Sequence, residues 1–494
     1  MFLKQAIYLL FFCMAFASCS VNKNYRADNK YPKDVLQQDY TLLRNILEQK
    51  HPSLYWYTSK DSMNYYFDKG YQSIADSMTE LQFGWQVLAP LTNKIHCGHT
   101  SFSMSKGWSK FIKNKRIPSF PLYLKIWGDT MIVTANLNRR DSVIKPGMLI
   151  TSINGVKNHQ LIKQMFNYLV QDGYEDNVNY IRLSASFPYF HRNIFGIYKS
   201  YSIGYIDNNG LERKTVIPLH SVSADTLSKI KNFPPVKKQK ITRKEKLDNL
   251  RSLNIDTSFS LLTINTFSKG FLKSFFRRSF HSLKKKDAKN LVIDLRSNGG
   301  GEISNYVALT KYIRSTNFKV ADTAASISKN FAPYTKYIKS GFFNNIGLFL
   351  FNKKQRDGRY HFGFWERRVM RPKKKNHFDG NVYVLTNGLT FSASSLFCSA
   401  VKGQSNVTLV GENTGGGWHG NSGIIIPDIT LPNTKLKVRL PFFRLVQFEH
   451  VAKTGTGVIP DIYIGPTTES ARKNIDRKME FVKELIREKN ILAK

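Results

Sequence analysis

Two apolar stretches of this chain each run into a glycine-bearing loop and then into a helical pattern. Repeated strand–loop–helix units of this kind restrict the fold to an α/β layer structure. The first unit is Leu291-Val-Ile-Asp-Leu-Arg-Ser-Asn-Gly-Gly-Gly301, followed by Ile303 to Ile313 with Val307, Leu309 and Tyr312 apolar. The second is a strand over Val382–Leu385, the turn Thr-Asn-Gly-Leu-Thr, and Phe391-Ser392-Ala393-Ser394-Ser395 opening a helix over Leu396–Val401. Active sites tend to lie beyond the carboxyl ends of such strands.

A serine at a strand-to-helix junction is presented outward, where the unpaired amides of the first helical turn also point. That suits a nucleophile whose attack product is an oxyanion. The same residues would serve as an ordinary N-cap on a core helix. Asn298–Gly301 also invites reading as a phosphate loop, but the chain has neither G-x-x-x-x-G-K-[ST] nor G-x-G-x-x-G.

LVIDLRSNGGG, VLTNGLTFSASS, LVGENTGGG and GTGVIPDI at 455–462 occur in the order and spacing of one family. The chain resembles the S41 serine peptidases, the C-terminal-processing and tricorn-core group, and the resemblance extends over most of it from Tyr31 onward. It implies an α/β, ClpP/crotonase-like core with an N-terminal helical region and an inserted PDZ-like β-rich domain. It further implies Ser392 as nucleophile, with an oxyanion hole from the amide of Ala393 and one from Gly299 or Gly300. No metal or organic cofactor is implied.

The resemblance divides over the base. One branch of the family places a lysine in the segment written here GENTGGG, which register puts at Gly417, and no lysine occurs between Lys402 and Lys435. Lys402 lies too far along the serine's own helix to fold back. The tricorn-like branch takes a histidine from just before its PDZ-like domain, where this chain has Ile95-His96-Cys97-Gly98-His99-Thr100. His99, beside Gly98, is the match. An imidazole takes the serine proton near pH 7 and returns it to the leaving amine. His419, just after the glycine loop, is the rival base.

His96 and His99 as a zinc pair are set aside, because residues i and i+3 of a strand face opposite sides. The family's relay residues are altered. Gly98 stands where a serine precedes the histidine, Thr454 occupies the acidic position before G-V-x-P-D, and the nearest carboxylate there is Glu449. Thr100 or Glu412 is the alternative orienting group.

The N-terminus has an early lysine, an apolar run too short to span a membrane, and Phe16-Ala17-Ser18-Cys19, a lipobox-like end. Cys19 is therefore expected to be the acylated first residue of a lipoprotein. The expected setting is the cell envelope of a Gram-negative bacterium, periplasm-facing or at the surface, with the outer membrane as anchor. Cys97 and Cys398 remain as two buried thiols or one disulfide.

The formal charge of +39 gathers at Lys237–Lys246, Lys284–Lys289 and Arg367–Lys375. These runs lie in polar segments without a nucleic-acid motif, so anionic headgroups or solvent are the expected partners rather than nucleic acid.

The expected organisation is signal peptide 1–18, tether 19–30, and helical region 31–115 ending in the strand of His99. A PDZ-like domain at 116–220, a linker at 221–254 and a peptidase core at 255–466 follow, the core carrying an aromatic- and lysine-rich insertion at about 322–378. A charged amphipathic helix at 467–494 closes the chain. The function expected is a serine endopeptidase acting on peptide or protein substrates. The competing expectation is a catalytically inactive envelope lipoprotein that binds peptides in its PDZ-like groove.

Overall fold

The computed structural model of the protein describes residues 25–113, 115, 117–221, 241–339, 342–448 and 451–492. The signal segment with Cys19, most of the charged linker, and Glu449 lie outside the described residues.

Helix α1 (Lys33–Lys50) buries Leu36, Tyr40, Leu43, Ile46 and Leu47, the stripe that its spacing predicts, and stops at His51-Pro52. Helix α2 (Lys60–Gln72) starts at Ser59, whose side chain accepts the Ser62 amide, and the helix buries Met63 and Phe67. These helices share one core with Ile429, Val438, Phe442 and Phe443 from far along the chain. The N-terminal region is thus welded to the segment that closes the site.

A second sheet has its own core. Strands β1 (Leu122–Trp127), β2 (Thr130–Asn136) and β3 (Leu149–Ile153) lead to helices α3 (Asn158–Phe166) and α4 (Asn177–Phe195), then strands β4 (Ser200–Ile206) and β5 (Glu212–Pro218). The strands pair antiparallel in sequence order. Strands, turns and one helix over His159–Val170 are expected in this region; α3 lies where that helix is expected, and α4 is a second helix that the reading lacks. Its helical period is obscured by Pro188 and by the non-helical Ser186 (φ −151°, ψ 41°). What holds α4 is tertiary: Ser184 Oγ accepts the Ile126 amide of β1 at 2.8 Å.

The central sheet comprises β6 (Arg251–Ile255), β7 (Ser260–Ile264), β8 (Asn290–Asp294), β10 (Asn381–Thr386), β11 (Val407–Gly411) and β14 (Ile462–Tyr463), in that spatial order. Only β6 runs antiparallel to its neighbour. Successive residues of a strand face opposite sides. Leu291, Ile293, Val382 and Val384 therefore pack on one face beneath α5 (Leu272–Lys285), α6 (Ile303–Ile313) and α7 (Ala393–Val401). Val292, Tyr383 and Leu385 face the other side, covered by Val482 and Ile486 of α8 (Arg477–Leu492). Each such buried side chain contributes roughly 1.5–3 kcal/mol by area.

The terminal helix differs from expectation. Asn474, left-handed at φ 51°, ends a first helix (Thr468–Lys473) before α8 begins. Within the expected insertion, strand β9 (Thr323–Ser326) pairs with β13 (Phe443–Val446), which also pairs with β12 (Gly420–Gly423). That sheet stands beside the carboxyl ends of β8 and β10, where the two glycine loops emerge side by side.

Candidate active site

Ser392 sits between β10 and α7 at φ 53°, ψ −122°, a conformation that costs a non-glycine residue about 1–3 kcal/mol and persists only where surroundings enforce it. The enforcement is visible. The Phe391 amide donates to the Asn298 carbonyl at 3.1 Å, and Thr390 Oγ1 donates to the Leu295 carbonyl at 3.1 Å, fastening this turn to the loop after β8. Gly300, at φ 99°, lies so close that a Cβ there would stand 2.7 Å from Ser392 Cβ and 3.0 Å from the Ala393 nitrogen. On the other side, a Cβ on Gly416 would stand 2.7 Å from the Ser392 nitrogen. Both glycines are needed for close backbone approach.

Among the described residues, the amides of Ala393 and Gly299 have no hydrogen-bond acceptor, whereas that of Gly300 donates to Asn298 Oδ1 at 2.9 Å. Of the two glycines expected to serve an oxyanion, Gly299 is the one whose amide remains free. Ser392 opens on a cavity of about 170 Å³ with Trp365, Leu396, Ile424, Ile426 and Leu445 in its wall. Asn421 also lines it, with a buried Nδ2 that has no partner among the described residues.

His99 lies on a turn rather than a strand, closed by the Thr100 amide donating to the Cys97 carbonyl at 3.0 Å. The apolar alternation around it resembles a strand, but His96 adopts φ 53° and reverses the chain. The His99 ring packs on Phe391, next to Ser392, with centroids 5.0 Å apart. It is buried, and its Nδ1 has no partner among the described residues. Burial, then the Arg439 and Arg182 charges, push its pKa down to about 3, so the imidazole is neutral at physiological pH.

The other expected residues are engaged elsewhere. Thr100 Oγ1 pairs with His51 Nε2 at 2.7 Å, and Glu412 accepts from Lys478 at 2.6 Å, tying α8 to the sheet. His419 directs Nδ1 to the Val451 carbonyl and stands by Trp56, with ring centroids 5.8 Å apart. Glu449 lies outside the described residues. Cys97 and Cys398 are free and buried, and burial pushes the Cys97 thiol up to about 12.

One residue went unread in the sequence. Asp172, in the segment 167–176 between α3 and α4, is 4% exposed. Its Oδ1 accepts the Gly98 amide at 2.7 Å and its Oδ2 the Gly417 amide at 3.3 Å. The segment is docked by the Tyr174 amide on the Gly455 carbonyl at 2.8 Å and by Glu175 accepting the Gly457 amide at 3.0 Å. The available signal was an acidic knot, Asp172, Glu175 and Asp176, around Gly173 in a chain with 74 basic and 35 acidic residues. Among the described residues, Cys97, His99 and Asp172 form one group able to hold a metal ion, with their ligand atoms within 4.8 Å of one another. Asp172's amide partners and the protonated thiol suit a hydrogen-bonded cluster better than a cation site.

A parallel-sheet core with an enforced serine elbow, free amides and a neutral buried imidazole defines the class: a serine-type peptidase. Residues 258–464 match the family model Peptidase family S41. Comparison with curated proteins gave no match.

Among solved structures, mature CPAF is similar in fold, at 14% identity and a TM-score of 0.63 over 92% of this chain and 97% of that one. CPAF complexed with lactacystin gives 14% and 0.62 over 92% and 98%. The photosystem II D1 C-terminal processing protease gives 13% and 0.39 over 89% and 96%.

Proposed function

We propose that this protein is an envelope serine endopeptidase in which Ser392 attacks the peptide carbonyl and His99 serves as general base, then acid. The observation that carries the reading is the Ser392 elbow, wedged between Gly300 and Gly416 beside two unengaged amides. Ser392 Oγ bonds to the carbonyl carbon while its proton passes to His99. The amides of Ala393 and Gly299 hold the resulting oxyanion. Collapse breaks the C–N bond, and the amine leaves with the proton from His99. Water, deprotonated by His99, then releases the acyl group and restores the serine.

Incubation of the purified full-length protein with a fluorophosphonate probe, followed by peptide mass mapping, is the test. One adduct on the peptide containing Ser392 is expected. An adduct confined to another serine overturns the assignment, and no adduct on folded protein favours the inactive peptide-binding alternative.

Further parts of the proposal rest on sequence. Cys19 carries lipid and anchors the chain to the envelope, and the sheet β1–β5 with α3 is a PDZ-like module that presents substrate by its edge. Metabolic labelling with radioactive palmitate in a Gram-negative host should mark the wild type and not Cys19→Ala. Equal labelling of both would remove the anchor from the reading.

A further inference from the structure

We propose that Asp172 is the positioning carboxylate of this site, orienting His99 and balancing the imidazolium formed during acyl transfer. The inference rests on the Ser392–His99 reading and extends it to a residue contributed by the loop between α3 and α4.

Four observations converge on Asp172. A carboxylate oxygen of Asp172, a ring nitrogen of His99 and Cys97 Sγ lie within 4.8 Å of one another. A hydrogen bond of about 2.8 Å therefore requires at most about 2 Å of closure, and catalytic hydrogen bonds often tighten only when substrate binds. His99 Nδ1 is buried without a partner among the described residues, a costly state for a polar group unless one is close at hand. Asp172 also joins the two halves of the site, because Gly98 precedes His99 and Gly417 follows the glycine that packs on the Ser392 amide. Finally, Thr100 and Glu412 are committed to His51 and Lys478.

The electrostatics give the carboxylate its role. Arg439 and Arg182 disfavour a charged His99, so a proton arriving there needs a nearby anion. Burial raises Asp172 to about 6, while the Gly98 and Gly417 amides and Arg182 hold it down. It is therefore anionic at pH 7.5 and loses its charge as pH falls through about 6. The other titratable groups around the pair are Cys97, Tyr57 and Arg182, with Arg439 on the His99 side. Neither Cys97 nor Tyr57, both pushed up by burial, titrates between pH 5 and 9.

The test is the rate of fluorophosphonate labelling of Ser392 between pH 5 and 9, in full-length wild type, Asp172→Asn, Asp172→Glu and His99→Ala. Asp172→Asn keeps an oxygen for the Gly98 amide and removes the charge. It is expected to label about 10²–10⁴-fold more slowly at pH 7.5, the scale of a lost triad carboxylate. Asp172→Glu should recover at least tenfold of that loss. Wild-type labelling should fall as pH drops through about 6, and this limb should be absent in Asp172→Asn. The limb is measured on wild type alone, so the proposal stays falsifiable if a variant fails to fold.

Labelling of Asp172→Asn within threefold of wild type across the range, with His99→Ala strongly slowed, overturns the role of Asp172 and leaves the dyad standing. A folded Asp172→Asn that is slow at every pH without losing the acid limb marks a structural contact and also overturns it. Failure of His99→Ala to slow labelling sinks the dyad and Asp172 with it.

Discussion

Ser392→Ala should reduce hydrolysis of a fluorescent casein by about 10⁶-fold while leaving the fold intact, the loss typical of a deleted serine nucleophile. The two outcomes separate because Ser392 makes no side-chain capping bond at the start of α7. The elbow is enforced by the Phe391 and Thr390 bonds to the β8 loop and by the glycines on either side, none of which involves Oγ. Alanine inherits the same backbone, so the thermal midpoint should stay within a few degrees. Casein turnover by Ser392→Ala above one part in a thousand would point to another nucleophile. A collapse in thermal stability would mean that the hydroxyl supports the fold.

His99→Ala should bring a loss of the same order, about 10⁶-fold, since a serine without its base attacks slowly. Truncation also empties space against Phe391, so His99→Gln is the sharper variant. Glutamine fills most of the ring's volume and cannot take a proton. Equal losses in His99→Ala and His99→Gln identify a base, whereas loss in alanine alone identifies packing. His419→Ala, by contrast, is expected to retain activity, because that ring is turned toward Val451 and Trp56. Casein hydrolysis by the three variants decides between the histidines. With His99 held at about 3, its own titration leaves no mark above pH 5. An acid limb near pH 6 that disappears in Asp172→Asn belongs to that carboxylate.

Wherever a segment's own pattern matched its final neighbours, it could be read from the chain. Helix α6 spans Ile303–Ile313, the run that its apolar spacing marked, because Tyr306, Val307, Leu309, Tyr312 and Ile313 recur on the side that packs into the core. Strand β10 extends the Val382–Leu385 reading by a residue at each end. Helix α4 was hidden because its aromatics serve several neighbours at once and its kink breaks the period. The loop of His99 looked like a strand because the left-handed turn at His96 has no glycine to announce it. Glu412, near in sequence to the glycine loop, turned out to face Lys478, since a side chain's partner depends on which element folds over it.

By itself the sequence determined the α/β core, the two glycine loops that let backbone approach backbone, and the serine and histidine worth testing. These are local properties: alternation, glycine placement and the residue types at a strand's end. Only the tertiary structure decided which glycine amide is free, that Thr100 and Glu412 are taken, and that a carboxylate 74 residues beyond Gly98 comes within 4.8 Å of a His99 ring nitrogen. Asp172 arrives through the docking of Tyr174 and Glu175 on the 455–457 loop, contacts between residues hundreds of positions apart. Such long-range pairing depends on the packing of whole elements, and no local pattern encodes it.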